Sequence, residues 1–326
     1  MKKVVANFEE QLLQALQIVK MASFHDTHKK FDNVLISGLG GSGIAGSVVK
    51  DLVHDELKIP LVLCKDYHIP AFVNEKTLVI VSSYSGNTEE TLSAFKQAFE
   101  KKAEIAVITS GGSLLEFAKD KNLNYLVLPA GNAPRAMFNF SVVCVMGILE
   151  KYGLISDKFY TEFENSIKLL VDNQDKIQKE ALDIAQQLGN KMPIVYVSQN
   201  YGGVGSRVMQ QINENSKTLG WVNIIPEMNH NELLGWRTNT DNLLVINLRT
   251  PDEFEKHKKR SEISQEIYGE YTNDIFNIWS NGNSLIENTM YLVNFGDWLS
   301  VFIADEKGVD ASEYDIIEFL KGRLAE

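Results

Sequence analysis

Only two cysteines, Cys64 and Cys144, occur in the 326 residues, and both have apolar neighbours. That suits reduced, buried thiols and leaves no disulfide framework, no redox pair and no thiolate zinc site. Histidine is nearly as scarce. Of the six, only His25 and His28 stand close together, and no HxH or HExxH arrangement exists, so no metal is expected and no other cofactor is called for. Long apolar runs are missing as well: none approaches the ~20 residues of a membrane-crossing helix. The opening segment turns acidic at Glu9 and Glu10 before a signal-like stretch can form, so a soluble, cytoplasmic protein is the expectation. Positive charge is in deficit too. Lys and Arg total 32 against 43 Asp and Glu, a formal net charge of −11, which opposes binding to nucleic acid or anionic membranes and repels a phosphorylated ligand at long range. A phosphate site in such a chain has to be built locally.

What is present is ordinary globular composition, with 44% apolar and 23% charged residues. The length exceeds what one hydrophobic core usually supports, so two domains are expected, 1–155 and 156–326. Phe8, Leu12, Leu13, Leu16 and Val19 recur at helical spacing and predict an opening helix over 7–22. The pattern then changes. Short apolar runs around Leu35, Val62, Val79, Val107 and Leu126 alternate with helical stretches, the signature of a doubly wound α/β domain with a buried parallel sheet. A long charged helical pattern fills 156–188, strand-like runs resume around Val195 and Leu244, and a closing helical region starts near Ser284. The second half thus repeats the logic of the first, with a less clear order of elements.

Two loops carry chemistry. Gly38-Leu39-Gly40-Gly41-Ser42-Gly43-Ile44-Ala45-Gly46 directly follows the first strand and opens a helix, so its backbone amides can cradle an anion. The same string satisfies GxGxxG, and Asp66 lies after the next strand where a ribose-binding acid belongs, so this loop alone does not separate phosphate from dinucleotide binding. The second loop, Ser82-Ser83-Tyr84-Ser85-Gly86-Asn87-Thr88-Glu89-Glu90-Thr91, gathers hydroxyls and amides at another strand end. Such groups hold a phosphate monoester through hydrogen bonds and the helix dipole without lysine or arginine. Helix capping by Asn87 and Thr88, with Glu90 completing a capping box, accounts for part of the loop and leaves Ser83 and Ser85 unexplained.

The string Ser83-Tyr84-Ser85-Gly86-Asn87-Thr88-Glu89-Glu90 resembles the phosphate loop of sugar isomerase (SIS) domains. Within that family the chain resembles the bifunctional phosphoglucose/phosphomannose isomerases over nearly its whole length. Further stretches carry the likeness: 39–46, Ala133-Pro134-Arg135-Ala136, Gln211-Ile212-Asn213-Glu214-Asn215-Ser216-Lys217, Glu227-Met228-Asn229-His230-Asn231-Glu232 and Ile317-Glu318-Phe319-Leu320-Lys321. The resemblance implies two tandem SIS domains that interconvert glucose 6-phosphate and mannose 6-phosphate with fructose 6-phosphate. Ring opening and an enediolate intermediate follow from that chemistry.

By the same resemblance, Gly41, Ser42, Ser83, Ser85 and Thr88 bind the phosphate, Glu214 is the base and Arg135 stabilises the enediolate. His230, supplied by the neighbouring subunit of a homodimer, and Lys321 open the ring. Glu214 lies off the Val204, Val208 and Ile212 stripe of its helix, which frees it from that core. Asp310-Ala311-Ser312 departs from the Asp-Pro that often opens the last helix in relatives. Two rivals remain at this stage. A nicotinamide-dependent dehydrogenase uses the glycine loop and Asp66 but leaves the serine loop idle, and a noncatalytic sugar-phosphate sensor needs the serine loop but neither Glu214 nor His230.

Overall fold

The computed structural model describes residues 1–239 and 242–324. Its chain forms two compact units, Asn7–Lys168 and Met1–Ala6 with Leu169–Glu326. The short helix α1 (Lys2–Val5) belongs to the latter, where Lys2 pairs with Asp305.

The Asn7–Lys168 unit opens with α2 (Phe8–Met21), which buries Phe8, Leu12, Ala15, Leu16 and Val19. Leu13, which the spacing also assigned to this stripe, is exposed instead, because it lies on the flank of the wheel away from Leu12 and Leu16. There follow β1 (Asn33–Ser37), α3 (Gly40–Leu52), β2 (Leu61–Cys64), β3 (Thr77–Ser82), α4 (Glu89–Glu100), β4 (Glu104–Thr109), α5 (Gly112–Asp120), β5 (Asn124–Val127) and α6 (Phe138–Lys151). The five strands are parallel in the order β2-β1-β3-β4-β5. Every residue of β3 is buried, as its position inside a sheet covered on both faces requires. Helix α6 has no polar face at all: Phe138 through Leu149 are buried. Each fully buried Val, Leu or Phe there stabilises the unit by about 1.5–3 kcal/mol. Both cysteines are buried and unpaired.

Helix α7 (Lys158–Leu188) contains the division between the units, at Lys168 and Leu169. Beyond it run β6 (Met192–Ser198), α8 (Gly202–Ser216), β7 (Trp221–Ile225), β8 (Leu243–Arg249), α9 (Glu255–Tyr268), β9 (Ile275–Trp279), α10 (Leu285–Glu306) and α11 (Asp315–Leu324). These strands are also parallel, in the order β7-β6-β8-β9. Helix α10 starts where expected, with the Ser284 hydroxyl accepting from the Glu287 amide at 3.2 Å. It is buried from Ile286 to Val301, packed on α8. Between those two helices the Arg207 guanidinium meets Asp297 at 2.9 Å, with both side chains buried. Burial pushes the Asp297 carboxyl up from its ordinary value, and Arg207 pulls the other way.

Candidate active site

In an open parallel sheet, ligands bind outside the carboxyl ends of the strands, where the strand order reverses. In the Asn7–Lys168 unit that point lies between β1 and β3, and the two loops singled out in the sequence leave those two strands. Ser83 is 2% exposed. Its hydroxyl accepts from the Gly86 amide at 3.1 Å and shares a hydrogen bond with the Thr88 hydroxyl at 2.9 Å. Ser85 is exposed, with its Oγ accepting from the Asn87 amide at 3.3 Å.

The capping expectation needs correction here. Thr88 is the N-cap residue of α4, yet no side-chain cap hydrogen bond forms. The Thr88 hydroxyl turns to Ser83, and the Asn87 side chain accepts from the Ser113 amide at 3.0 Å instead of capping its own helix. The first-turn amides of α4 are therefore not taken up by a side-chain cap, which suits an anion at that end.

The glycine loop and the arginine are pressed together. A Cβ on Gly41 would lie 2.6 Å from the Pro134 carbonyl oxygen and 3.2 Å from Arg135 Cα, so only glycine allows this approach. Arg135 lies in a 3-10 turn over Pro134–Met137 and is 5% exposed, which excludes a surface arginine. Ser42, which follows Gly41 on α3, is buried. Gly41, Ser42, Ser83, Ser85, Thr88 and Arg135 are thus brought to one edge of one sheet. Asp66 is tied to its own turn, accepting from the Tyr67 amide at 2.6 Å.

One basic group near this edge escaped the sequence reading. Lys65, just past β2, donates to the Ser47 hydroxyl of α3 at 2.8 Å. Burial lowers its ammonium below the ordinary lysine value. Its position after a strand end was the available signal, but a lone lysine beside an aspartate reads as solvated.

The other unit holds Glu214, His230 and Lys321. Glu214 is half-buried on the last turn of α8. That turn is pinned to α10 on both sides of it: Gln211 donates to Asp297 at 2.9 Å and Asn215 to the Ser300 hydroxyl at 2.9 Å. His230 ends a 3-10 turn over Glu227–His230 and is exposed.

Its loop is anchored by Glu232, whose carboxylate accepts from Tyr196 at 2.6 Å, Trp221 at 3.0 Å and Asn223 at 2.5 Å. Burial first, and the Glu232 carboxylate second, raise the Tyr196 phenol well above its usual range, so it remains a donor. Lys321 lies on α11, none of whose residues is buried. The segment leading to it is tethered by Lys217, which donates to the Asp310 and Glu313 carbonyls at 2.5 and 3.1 Å.

Topology separates two of these residues. Helix α8 runs from the end of β6 back to the start of β7, which puts Glu214 at the amino edge of that sheet, whereas His230 follows the carboxyl end of β7. The loop after β7 folds back over one face of the sheet, where Glu232 is bonded to Tyr196, Trp221 and Asn223, whereas α8 packs through Gly205 against Val197 and Val222, which alternate to the opposite face. The sheet therefore lies between the helix that carries Glu214 and the loop that carries His230. Among the described residues no group of three or more His, Cys, Asp or Glu side chains is placed to hold a metal ion.

Comparison with known proteins places the chain in a family. Residues 177–324 match the family model described as the bacterial phospho-glucose isomerase C-terminal SIS domain. The chain is 35% identical to the bifunctional phosphoglucose/phosphomannose isomerase of Caldicellulosiruptor bescii, covering 99% of this chain and 98% of that protein. It is 33% identical to the protein of the same name from Thermoplasma volcanium, covering 98% and 99%. In fold it is similar to the C-terminal domain of glucosamine-fructose-6-phosphate aminotransferase from Francisella tularensis, with a TM-score of 0.77, 15% identity and coverage of 96% and 97%. With identity at this level running the length of both chains, and with the glycine and serine loops folded at the switch point of a parallel sheet, the chain belongs to the bifunctional phosphoglucose/phosphomannose isomerase family.

Proposed function

We propose that this protein interconverts glucose 6-phosphate and mannose 6-phosphate with fructose 6-phosphate. The observation that carries the reading is the edge of the Asn7–Lys168 sheet, where a hydroxyl-lined loop and the buried Arg135 flank one glycine-lined helix start. A dehydrogenase has no use for that loop.

The roles divide by chemistry. Ser85, Thr88 and Ser42 donate hydroxyl hydrogen bonds to the phosphate oxygens, the buried Ser83 donates to the Thr88 hydroxyl and so aims its proton at the phosphate, and the amide of Gly41 and the α4 helix start add to them. His230 and Lys321 open the ring: the proton on the C1 hydroxyl is removed, the bond from C1 to the ring oxygen breaks, and that oxygen is protonated. Glu214 then takes the proton from C2 of the open aldose. The electron pair forms the C1–C2 double bond and leaves charge on the former carbonyl oxygen, which Arg135 stabilises. Protonation at C1 and transfer of the O2 proton to O1 give the ketose. Glucose and mannose 6-phosphates differ only at C2, and that stereocentre vanishes in the planar enediolate, so one intermediate serves both.

The separation of His230 from Glu214 within a copy supports a homodimer in which His230 completes the site of the second copy. Mixing Glu214→Gln with His230→Ala subunits should then restore activity through one intact composite site, and no recovery after verified exchange contradicts sharing. The functional reading itself is tested by giving purified protein each epimer separately and measuring fructose 6-phosphate. Comparable rates are expected. Mannose 6-phosphate turnover at the detection limit would remove dual specificity, and no ketose from either epimer would remove the isomerase.

A further inference from the structure

We infer that Tyr84 is a positioning residue for Arg135, acting through its phenolic hydroxyl; the inference rests on the isomerase reading above. Tyr84 stands in the middle of the hydroxyl-rich loop, but at 8% exposure it is not one of the solvent-facing hydroxyls as Ser85 is. Its OH donates to the Pro129 carbonyl at 2.8 Å and accepts from the Asn132 amide at 3.2 Å. These groups are the two ends of one turn, Pro129-Ala130-Gly131-Asn132, which bends through Gly131 at φ 96°. All four turn residues are exposed, so core packing does little to hold the turn, and a hydroxyl gripping both ends fixes it.

Arg135 follows Asn132 by three positions and is held from the other side by the close approach of Gly41 to Pro134. Tyr84 itself is anchored. Its carbonyl accepts from the Ser110 amide at 2.9 Å and the Ser110 hydroxyl at 2.6 Å, and the neighbouring Ser83 amide donates to the Ile108 carbonyl at 3.0 Å. The loop ends of β3 and β4 are thereby tied to the turn that precedes Arg135.

Chemistry gives this link a purpose. The phosphate sits on C6, and the charge of the enediolate develops at the oxygens of C1 and C2, the opposite end of an open chain. The phosphate loop and Arg135 therefore hold two ends of one molecule, and the spacing between them has to match its length. Tyr84 belongs to the loop that holds one end and grips the approach to the residue that holds the other. A misplacement of about 1 Å in such a group costs up to ~10² in rate. Nothing in a Ser-x-Ser-Gly loop demands a phenol for phosphate binding, so the hydroxyl is free for this second task.

The test is a double-mutant cycle on the full chain, read with glucose 6-phosphate and with sorbitol 6-phosphate, which has the phosphate and the chain but no carbonyl. Tyr84→Phe keeps the ring and should lower kcat about 10- to 100-fold, with KM and the Kd of sorbitol 6-phosphate changed by no more than about threefold. In an Arg135→Ala background the same substitution should cost less than about twofold, because the group it positions is gone.

Gly131→Ala strains the turn at positive φ without meeting another atom within 4 Å. It should reproduce the pattern, and it carries the test if Tyr84→Phe does not fold. Unchanged kcat, a loss expressed in KM and Kd instead, or an equal loss without Arg135 overturns the inference. Wild-type protein that yields no ketose overturns the functional reading, and the same assay shows this before any variant is compared.

Discussion

The strand orders β2-β1-β3-β4 and β7-β6-β8-β9 follow the same path, so the loop after β8 is the counterpart of the serine loop after β3. Their chemistry is opposite. After β3 stand Ser83, Ser85 and Thr88; after β8 stand Thr250, Pro251, Asp252 and Glu253. Glu253 is locked to Arg249 by two hydrogen bonds of 2.7 Å, and both oxygens of Asp252 accept from Tyr201, which follows β6, at 2.9 and 2.8 Å. On the proposed reading the first crevice offers donors to a phosphate, whereas the carboxylates in the second are acceptors already held by Tyr201 and Arg249. Shared topology thus sets where a ligand can sit, and a handful of loop residues decides whether one does.

The sharpest way to break this comparison is to separate binding from reaction. Glu214→Gln keeps the side chain's shape and removes the base, so turnover should fall by about 10² to 10⁴ while sorbitol 6-phosphate binds as before. Turnover near that of the wild type would take Glu214 out of the mechanism. Next in size is the serine loop. If Ser85 donates to the phosphate, Ser85→Ala removes a charge-assisted hydrogen bond worth about 1.5–3 kcal/mol and should raise KM accordingly with the fold intact; an unchanged KM rejects the phosphate assignment. The smallest effect belongs to the counterpart. Asp252→Asn weakens its bond to Tyr201 and should cost about 1 kcal/mol of stability in denaturant melts, with KM unmoved. A rise in KM as large as that of Ser85→Ala would show that the second crevice also handles substrate.

Much of the fold was legible in the sequence because buried strands announce themselves. The runs around Leu35, Val79 and Val107 became β1, β3 and β4 within a residue or two at each end. Strands β7 and β9 were not foreseen. Both are edge strands with only one fully buried residue each, Ile225 and Ile278, and polar Asn223 and Asn277 interrupt them, so no apolar run marks them. The boundary expected at residue 155 and the division at Lys168 and Leu169 lie on either side of the first turns of α7, a helix whose continuous pattern carries no break to read.

For the candidate site, the glycine and serine loops were visible as composition. What holds the turn before Arg135 and the helix of Glu214 was not: the Tyr84 hydroxyl meets partners 45 and 48 positions away, and Arg207, on the helix of Glu214, meets Asp297 across 90. An arginine in a helix reads as solvated until its buried partner is known.

The most direct measurement follows glucose 6-phosphate by proton NMR in deuterated water with the wild-type protein. Abstraction at C2 through an enediolate predicts loss of the C2 hydrogen signal together with the appearance of fructose 6-phosphate labelled at C1. Folded protein that leaves the C2 hydrogen in place and forms no ketose would contradict the assignment of this chain as a sugar-phosphate isomerase.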